Sequence, residues 1–398
     1  MILVRTKGNI MTETSTPATD GPIRIRRIDA WALRIDIARP VETSFGIMRN
    51  RPAVFVRIET DDGGFGFGEI WCNFPSCGAE HRVKIAIEEL GPLLTAEVFE
   101  SPEDAFRILT QKVHVRVLQT LEVGPFNQAI AGIDMAIWDL AARRAGKPVS
   151  KMINKNAAER VPVYSSGIHI GIAETVIAEA RAQGVRNFKV KVGFDVAEDL
   201  AALKNLAPGI GEGERLFSDA NQAWDIATAI EFCEGADGAG LKWLEEPLRA
   251  DAPLADWSRL ASVGRIPLAA GENITGMQDF KLAINGGHLK FVQPDMAKWG
   301  GFSGCLPVAR MIRDGGLTYC PHYLGGGIGL VASAHLLAAV GGNGILEVDS
   351  NPNILREAMP GTAIENGDVT ICELPGLGIE TIPAELMEYV TLHDHCSA

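Results

Sequence analysis

The pattern of apolar and polar positions divides the chain into two unlike parts. In the first part, residues alternate between apolar and polar in three short runs, 23–28, 52–58 and 64–69, which predicts strands. Asp61-Asp-Gly-Gly64 predicts a hairpin turn between the last two runs. From about residue 79 to 152 apolar residues recur at helical spacing. Strands followed by helices predict an α+β domain over residues 23–152.

In the second part, short apolar runs alternate with segments of helix length. Eight runs have the length of buried strands and are bounded by Gly, Pro or Asn. They are 161–167, 187–193, 215–221, 240–247, 267–273, 288–295, 317–323 and 344–349. Eight βα units predict a closed TIM-type barrel over residues 153–360 rather than an open doubly wound sheet. The pattern breaks down after about residue 351, and we expect residues 361–398 to pack back on the first domain.

Composition and charge narrow the classes of function. The net charge of -13 argues against nucleic acid or an anionic membrane surface as partner, although a bound metal would still allow a small anionic substrate. Seven cysteines without a CxxC pair suit reduced thiols in a cytoplasmic protein. We expect residues 1–22 to be a disordered tail, with Met11 as an alternative start, and no membrane span or signal peptide. We also expect a homo-oligomer.

Three acidic residues end three successive predicted strands. They are Asp219, Glu245 and Glu272, spaced by 26 and 27 positions, which is the length of one βα unit. Side chains at the carboxyl ends of barrel strands converge on the barrel mouth, where carboxylates would repel one another without a cation. Their oxygens favour Mg²⁺, with Mn²⁺ as a substitute. The alternative, three unrelated surface acids, requires both the spacing and the strand-end positions to be accidental.

Other predicted strands end in groups suited to proton transfer. Lys189 and Lys191 point to the same face of strand two, and we expect each ammonium to disfavour the other's charge and to lower one pKa. The alternative, two solvated lysines on an edge strand, conflicts with a closed barrel. Asp295 and His322 end strands six and seven, so Asp295 could fix the imidazole tautomer. Glu347 on strand eight could bond the substrate or a neighbouring backbone amide.

These groups together indicate a type of reaction. A Mg²⁺ ion can bind both oxygens of a carboxylate substrate and stabilise the enediolate that forms when the α-proton leaves. Lys191 and His322 would approach the α-carbon from opposite faces, across the barrel. A lysine or histidine base beside Mg²⁺ is a general arrangement for such chemistry.

The motifs at the strand ends resemble those of the enolase superfamily, mandelate racemase subgroup, from about residue 23 onward. They are Lys-x-Lys, Ser-Asp-Ala-Asn-Gln, Trp-Leu-Glu-Glu-Pro, Gly-Glu-Asn, Pro-Asp-Met-Ala-Lys-Trp-Gly-Gly, Pro-His and Leu-Glu-Val-Asp. The resemblance implies a modified TIM-type (β/α)7β barrel with an N-terminal α+β capping domain. It also implies Asp219, Glu245 and Glu272 as metal ligands.

The resemblance implies catalytic roles as well. Lys191 is one acid/base, His322 paired with Asp295 is the other, and Glu347 is the electrophilic group. Relatives of the muconate-cycloisomerase kind carry a lysine at the end of strand six, where this chain has Asp295, which argues against that subgroup.

The capping domain is expected to shape the substrate pocket through two loops, 41–49 and 70–74. We take five residues as candidate substrate contacts: Phe45, Arg49, Trp71, Asn221 and Lys298. The glycine-rich segment 325–329 could cradle a phosphate at a helix start or form a tight loop near the substrate.

Three functions stay open at this point. We favour a hydro-lyase that dehydrates a sugar acid to a 2-keto-3-deoxy acid. The alternative is a racemase or epimerase of a 2-hydroxy or related acid. A non-catalytic binding protein on an inherited fold is a remote third.

Overall fold

Long antiparallel strands open the part of the chain that the computed structural model describes, residues 21–398. The predicted tail 1–22 therefore lies almost wholly outside the described residues. The strands of the first domain are β1 Ile23–Thr43, β2 Gly46–Thr60, β3 Phe65–Ile70 and the short β4 Val98–Phe99. The strand β15 Val390–Ser397, near the end of the chain, pairs antiparallel with β1. The resulting sheet has the order β15-β1-β2-β3, with β4 paired to β1.

The hairpin between β1 and β2 corrects one prediction. Residues 41–49 were expected to form a loop, but the two strands stay paired as far as Thr43 and Gly46. Only two residues, Ser44 and Phe45, separate the strands. The segment lacks the buried face that identifies a strand in sequence, because most of its residues are half-buried or exposed.

The helices of the first domain pack on this sheet. They are α1 Gly78–Lys84, the π-helix Ile85–Leu90, α2 Gly91–Ala96, α3 Pro102–Thr120, α4 Val123–Arg144 and α5 Val149–Ile153. The backbone of β3 lies directly on α4, since a Cβ at Gly66 or Gly68 would come within 2.1 Å of the helix carbonyls of Ala136 and Gly132. Only glycine, which has no Cβ, allows two backbones to come this close.

The second domain is the predicted barrel. Its strands are β5 Arg160–His169, β6 Asn187–Lys191, β7 Arg215–Asp219, β8 Leu244–Glu245, β9 Leu268–Ala270, β10 Leu289–Val292, β11 Thr318–Tyr319 and β12 Leu346–Asp349. All eight overlap the predicted runs, and the strands are parallel in the order β12-β5-β6-β7-β8-β9-β10-β11. The two ends of this row, β11 and β12, lie close together, because a Cβ at Gly344, two residues before β12, would come 1.9 Å from the carbonyl oxygen of Tyr319. The predicted fold class is confirmed.

Helices of the barrel follow the strands in turn. They are α6 Ala173–Ala182, α7 Val196–Leu206, α8 Ile226–Gly235, α9 Leu254–Val263, α10 Met277–Asn285, α11 Gly301–Asp314, α12 Gly327–Val340 and α13 Ile354–Glu357, with 3-10 turns at Ile170–Ile172 and Ala207–Gly209. Aromatic side chains fill the barrel interior, where Phe217 and Trp243 stack at 3.6 Å and Tyr164 meets both edge-on. They form a floor below the strand ends.

The last part of the chain contacts both domains. A hairpin of β13 Ile364–Glu365 and β14 Asp368–Thr370 pairs with β5, and the 3-10 helix Ala384–Tyr389 leads into β15. Asp139 of α4 accepts hydrogen bonds from the amides of Leu377 and Phe67, which joins the segment to the sheet. No helix within residues 21–398 has the length and apolar character needed to cross a membrane.

Candidate active site

The three predicted carboxylates lie side by side at the carboxyl ends of β7, β8 and β9. Asp219 and Glu245 are partners in the strand register, and Glu272 follows β9 by two residues. All three are buried, with at most 8% of any residue exposed. A row of three carboxylates that is shielded from water needs compensating positive charge.

Unusual backbone conformations aim these carboxylates at the barrel mouth. Asn221 and Glu246, just beyond β7 and β8, have φ of +45° and +39°. Gly271, before Glu272, has φ of +151°, and a Cβ there would lie 2.5 Å from the amide nitrogen of Gln293. Backbone conformations that L-residues rarely adopt concentrate at functional sites.

Two lysines of β6 supply part of the positive charge. Lys189 is fully buried, and its Nζ lies 2.6 Å from Glu245 Oε1 and 2.8 Å from Glu347 Oε1. Lys191 Nζ lies 2.5 Å from Asp219 Oδ2.

The expected lowering of one lysine pKa is wrong for this structure. Burial lowers the pKa of both Lys189 and Lys191, but the neighbouring carboxylates outweigh burial and raise both above the ordinary value. The ammonium groups repel each other less than the surrounding carboxylates attract them.

His322 supplies charge from the opposite side of the barrel. Its Nδ1 lies 2.8 Å from Asp295 Oδ2, and its Nε2 lies 2.5 Å from Glu272 Oε2. Burial alone would lower the pKa of His322, but Glu272, Glu347 and Asp295 raise it well above its ordinary value. The contact with Asp295 orients the ring so that Nε2 faces the carboxylate row.

Glu347 on β12 lies between the two sets of groups. Its Oε2 accepts a hydrogen bond from the amide of Tyr323 at 3.2 Å and lies 3.8 Å from His322 Nε2. Burial raises the pKa of Glu347, whereas Lys189 and His322 lower it, to about 2 in sum. Glu347 therefore bonds a neighbouring backbone amide, which was the alternative to a substrate contact, and it also lines the cavity, where a substrate could reach it.

The donor set fits a hard divalent cation. Asp219, Glu245 and Glu272 offer only oxygen, from adjacent strand ends, which is the chemistry of a Mg²⁺ site. Among residues 21–398, no three His, Cys, Asp or Glu side chains form a ready-made ligand cluster. The reason is that each carboxylate of the row turns toward an internal cation: Lys191, Lys189 or His322.

A cavity of about 210 Å³ opens above these groups, between the barrel and the capping domain. Lys191, Glu272, His322 and Glu347 line its floor. Of the five candidate substrate contacts, four line the cavity: Phe45, Trp71, Asn221 and Lys298. Arg49, the fifth, is exposed and is not among the residues that line this cavity.

Several site residues were missed by the sequence reasoning. Glu246 is buried beside Glu245, with both its oxygens 3.0 Å from Asn273 Nδ2, and Gln293 Nε2 lies 2.7 Å from Glu245 Oε2. Asp349 lines the cavity and pairs with the buried Arg51 of β2. Alternation with Glu347 on the same strand was the signal that could have identified Asp349.

The glycine-rich segment after His322 is a tight turn into α12. The amides of Gly326 and Gly329 donate to Glu69 at the end of β3, with 2.9 Å between Gly329 N and Glu69 Oε2. A Cβ at Gly325, Gly326 or Gly329 would clash with Tyr323 or Glu69. A carboxylate of the capping domain thus takes the helix-terminus position that a phosphate could have taken.

Comparison with known families divides the chain as the structure does. Residues 27–154 match the N-terminal domain of the mandelate racemase / muconate lactonizing enzyme family. Residues 172–385 match the enolase C-terminal domain-like family.

Individual relatives cover nearly the whole chain. A mandelate racemase/muconate lactonizing enzyme from Bordetella bronchiseptica is 47% identical, with a TM-score of 0.87 over 92% of this chain and 99% of that one. A racemase from Streptomyces coelicolor, solved with bound magnesium, is 25% identical, with a TM-score of 0.83 over 92% and 100%. D-galactarolactone cycloisomerase of Agrobacterium fabrum is 29% identical over 92% of this chain and 99% of its own length. Arabinonate dehydratase of Saccharolobus solfataricus is 29% identical over 84% and 90%.

Proposed function

Because the chain belongs to the enolase superfamily, with a mandelate racemase / muconate lactonizing enzyme N-terminal domain, we propose that it is a Mg²⁺-dependent enzyme that removes the α-proton of a small carboxylate substrate. Its reaction is the dehydration of a sugar acid to a 2-keto-3-deoxy acid. Arabinonate dehydratase is a relative with this type of activity, and a solved relative binds magnesium.

One observation carries the proposal. Lys191 Nζ contacts Asp219 at one end of the carboxylate row, and His322 Nε2 contacts Glu272 at the other, while both side chains line one cavity. Two proton-transfer groups thus face the same small space from strands β6 and β11. A molecule between them presents one face of its α-carbon to each.

The remaining residues have positioning roles. Asp219, Glu245 and Glu272 would hold the cation, which when bound supplies positive charge to the substrate carboxylate. Lys189 holds Glu245 and Glu347 in place through its two ion pairs. Asp295 keeps His322 Nε2 toward the substrate. Trp71 and Phe45 of the capping domain line the cavity and would contact the substrate from above.

In the dehydration, one base removes the α-proton and the acid on the other face gives a proton to the leaving β-hydroxyl, which departs as water. The enol that remains takes up a proton at C3 and becomes the 2-keto-3-deoxy acid. The second candidate is racemisation or epimerisation, which the same opposed pair favours: the second group would return a proton to the α-carbon from the other face.

The test compares two single substitutions on one stereochemically pure substrate in heavy water with Mg²⁺. With an α-proton that faces lysine, His322→Asn should abolish net product yet retain α-proton exchange, whereas Lys191→Ala should abolish both. Loss of a proton-transfer group costs about 10²- to 10⁴-fold. The opposite configuration should reverse the pattern.

Matched controls are Lys290→Ala and His114→Asn, the same kinds of exchange at exposed positions. Both should keep full activity. Equal exchange by the two site variants on one substrate would show that the groups do not face opposite sides, and the mechanism would fall. The product distinguishes the candidates: a 2-keto acid marks the dehydratase, and the inverted acid marks the racemase.

A further inference from the structure

The wall of the cavity beyond the reacting groups presents a carboxylate, which can accept hydrogen bonds but cannot donate them. Asp349 follows Glu347 by two residues on β12, so both point into the barrel mouth, and Asp349 lies about 7 Å further along the strand. Its partner in the strand register is Ser166 of β5, which also lines the cavity. A substrate whose carboxylate and α-carbon lie near Glu347 would extend its far end toward Asp349 and Ser166.

The carboxylate of Asp349 is held from behind by two buried arginines, Arg51 of the capping domain and Arg356 of α13, whose Nη1 lies 3.8 Å from Asp349 Oδ2. Arg51, on β2, is buried with 2% of the residue exposed, and its Nη2 pairs with Asp349 Oδ2 while its Nη1 lies 3.0 Å from Met48 Sδ. Asn351 donates from its amide and from Nδ2 to Asp349 Oδ1, at 3.1 and 2.8 Å. Neither arginine is among the cavity-lining residues, so a ligand meets the carboxylate and not a guanidinium.

Among the described residues, the cationic side chains that line the cavity lie away from Asp349. Lys191 and His322 flank the reacting carbon, and Lys298 is held at the carboxylate row by Glu272 Oε1 at 3.2 Å and Asn273 Oδ1 at 3.1 Å. Lys298 follows β10, two strands round the barrel from β12. A second carboxylate at the far end of a ligand would therefore face Asp349 with no lining cation beside it.

We infer that the site selects sugar acids with one carboxylate, of the aldonic type, over sugar diacids. The far end of such a substrate is a neutral hydroxyl, which donates a hydrogen bond to Asp349, whereas the second carboxylate of a diacid has no hydrogen to donate and would lie against another carboxylate. The inference rests on the proposed function and narrows its substrate class. A hydrogen bond to a charged group that one substrate makes and the other cannot is worth about tenfold or more in kcat/KM.

The experiment uses matched pairs of acids that differ only at the last carbon, CH₂OH against COO⁻. Suitable pairs are D-gluconate and D-glucarate, D-galactonate and D-galactarate, and D-mannonate and D-mannarate. For each, product formation and α-proton exchange are measured with the wild-type protein and Mg²⁺. In every pair that reacts, kcat/KM for the monoacid should exceed that for the diacid by about tenfold or more. A diacid that equals or exceeds its monoacid overturns the inference and leaves the proposed function intact.

A substitution adds a second reading. Asp349→Asn removes the charge and keeps the shape, so it should raise the diacid-to-monoacid ratio of kcat/KM by about tenfold, while Asp368→Asn, on β14, should not change the ratio. An unchanged ratio in a folded Asp349→Asn protein overturns the role of Asp349. If no acid exchanges its α-proton, the proposed function fails. The inference is then decided by thermal-shift measurements of how tightly the protein, with Mg²⁺, binds each monoacid and its matching diacid. Tighter binding of the monoacids supports it; equal, reversed or absent binding overturns it.

Discussion

Acid should destabilise this protein through one buried imidazole that is remote from the carboxylate row. His335 lies in α12, with 1% of the residue exposed, and its Nδ1 accepts a hydrogen bond from the amide of Ser150 at 3.2 Å. Burial lowers the pKa of His335 from 6.5 to about 4. A proton on Nδ1 would also face the Ser150 N–H, so the folded state disfavours it.

The sign and size of the effect follow from linkage. Below pH 6.5 the unfolded chain takes up a proton at His335 that the folded chain does not, so stability falls as the pH drops from 6.5 to 4. The loss relative to neutral pH is about 2 kcal/mol at pH 5 and about 3 kcal/mol at pH 4. His335→Gln keeps an acceptor for the Ser150 amide but cannot titrate, so it should lose this part of the pH dependence.

Urea unfolding at several pH values, followed by circular dichroism, measures the difference between wild type and variant. The test is how much the difference in free energy of unfolding between the two proteins changes from pH 7.5 to pH 5. Any cost of burying the glutamine side chain is the same at both pH values and therefore cancels. His114→Gln, an exposed histidine on α3, controls for the loss of one imidazole. A difference between wild type and His335→Gln that stays constant from pH 7.5 to 5 would refute the reasoning.

Three further outcomes are expected. Excess EDTA should abolish activity, and undiminished turnover in EDTA would contradict the metal requirement. Glu245→Gln should weaken Mg²⁺ binding measured by calorimetry, whereas Glu234→Gln, at an exposed position of α8, should bind Mg²⁺ like wild type. Gly68→Ala should lower the melting temperature sharply or prevent folding, because its Cβ would come 2.0 Å from a carbonyl of α4. Gly209→Ala places its Cβ in open space and should melt like wild type. Equal melting temperatures for the two variants would contradict the close packing of β3 on α4. Trp71→Ala should change which acid is accepted, yet α-proton exchange should survive on some acid, and a folded, Mg²⁺-binding variant that exchanges no proton on any acid would count against this role.

Sequence predicted the barrel well because buried parallel strands leave a plain signal. Most lie in short runs that are rich in apolar residues and end at Gly, Pro or Asn, and Asp219, Glu245 and Glu272 mark three of their ends. The same regularity brought Lys191 and His322 into one predicted site.

Contacts between distant parts of the chain were beyond such reasoning. Arg51 and Asp349 pair across 298 positions, and Glu69 reaches Gly326 across 257. Neither pair leaves a periodic pattern, since each residue belongs to a different element whose relative position only the packed structure fixes. The strand β15, which pairs with β1, was not predicted either. Its residues alternate between half-buried and exposed, so it has no buried face that a sequence pattern could reveal.

Glu69 has a consequence for the construction of chimeric enzymes. It ends a strand of the capping domain, yet it accepts hydrogen bonds from the turn that immediately follows His322 and Tyr323 in the barrel. A capping domain transplanted from a relative in order to change substrate preference would bring its own residue to this position. The graft would preserve the setting of the histidine only if that residue were again a carboxylate of the same length. Compatibility between donor cap and recipient barrel therefore depends on this junction as much as on the segments of the cap that line the cavity.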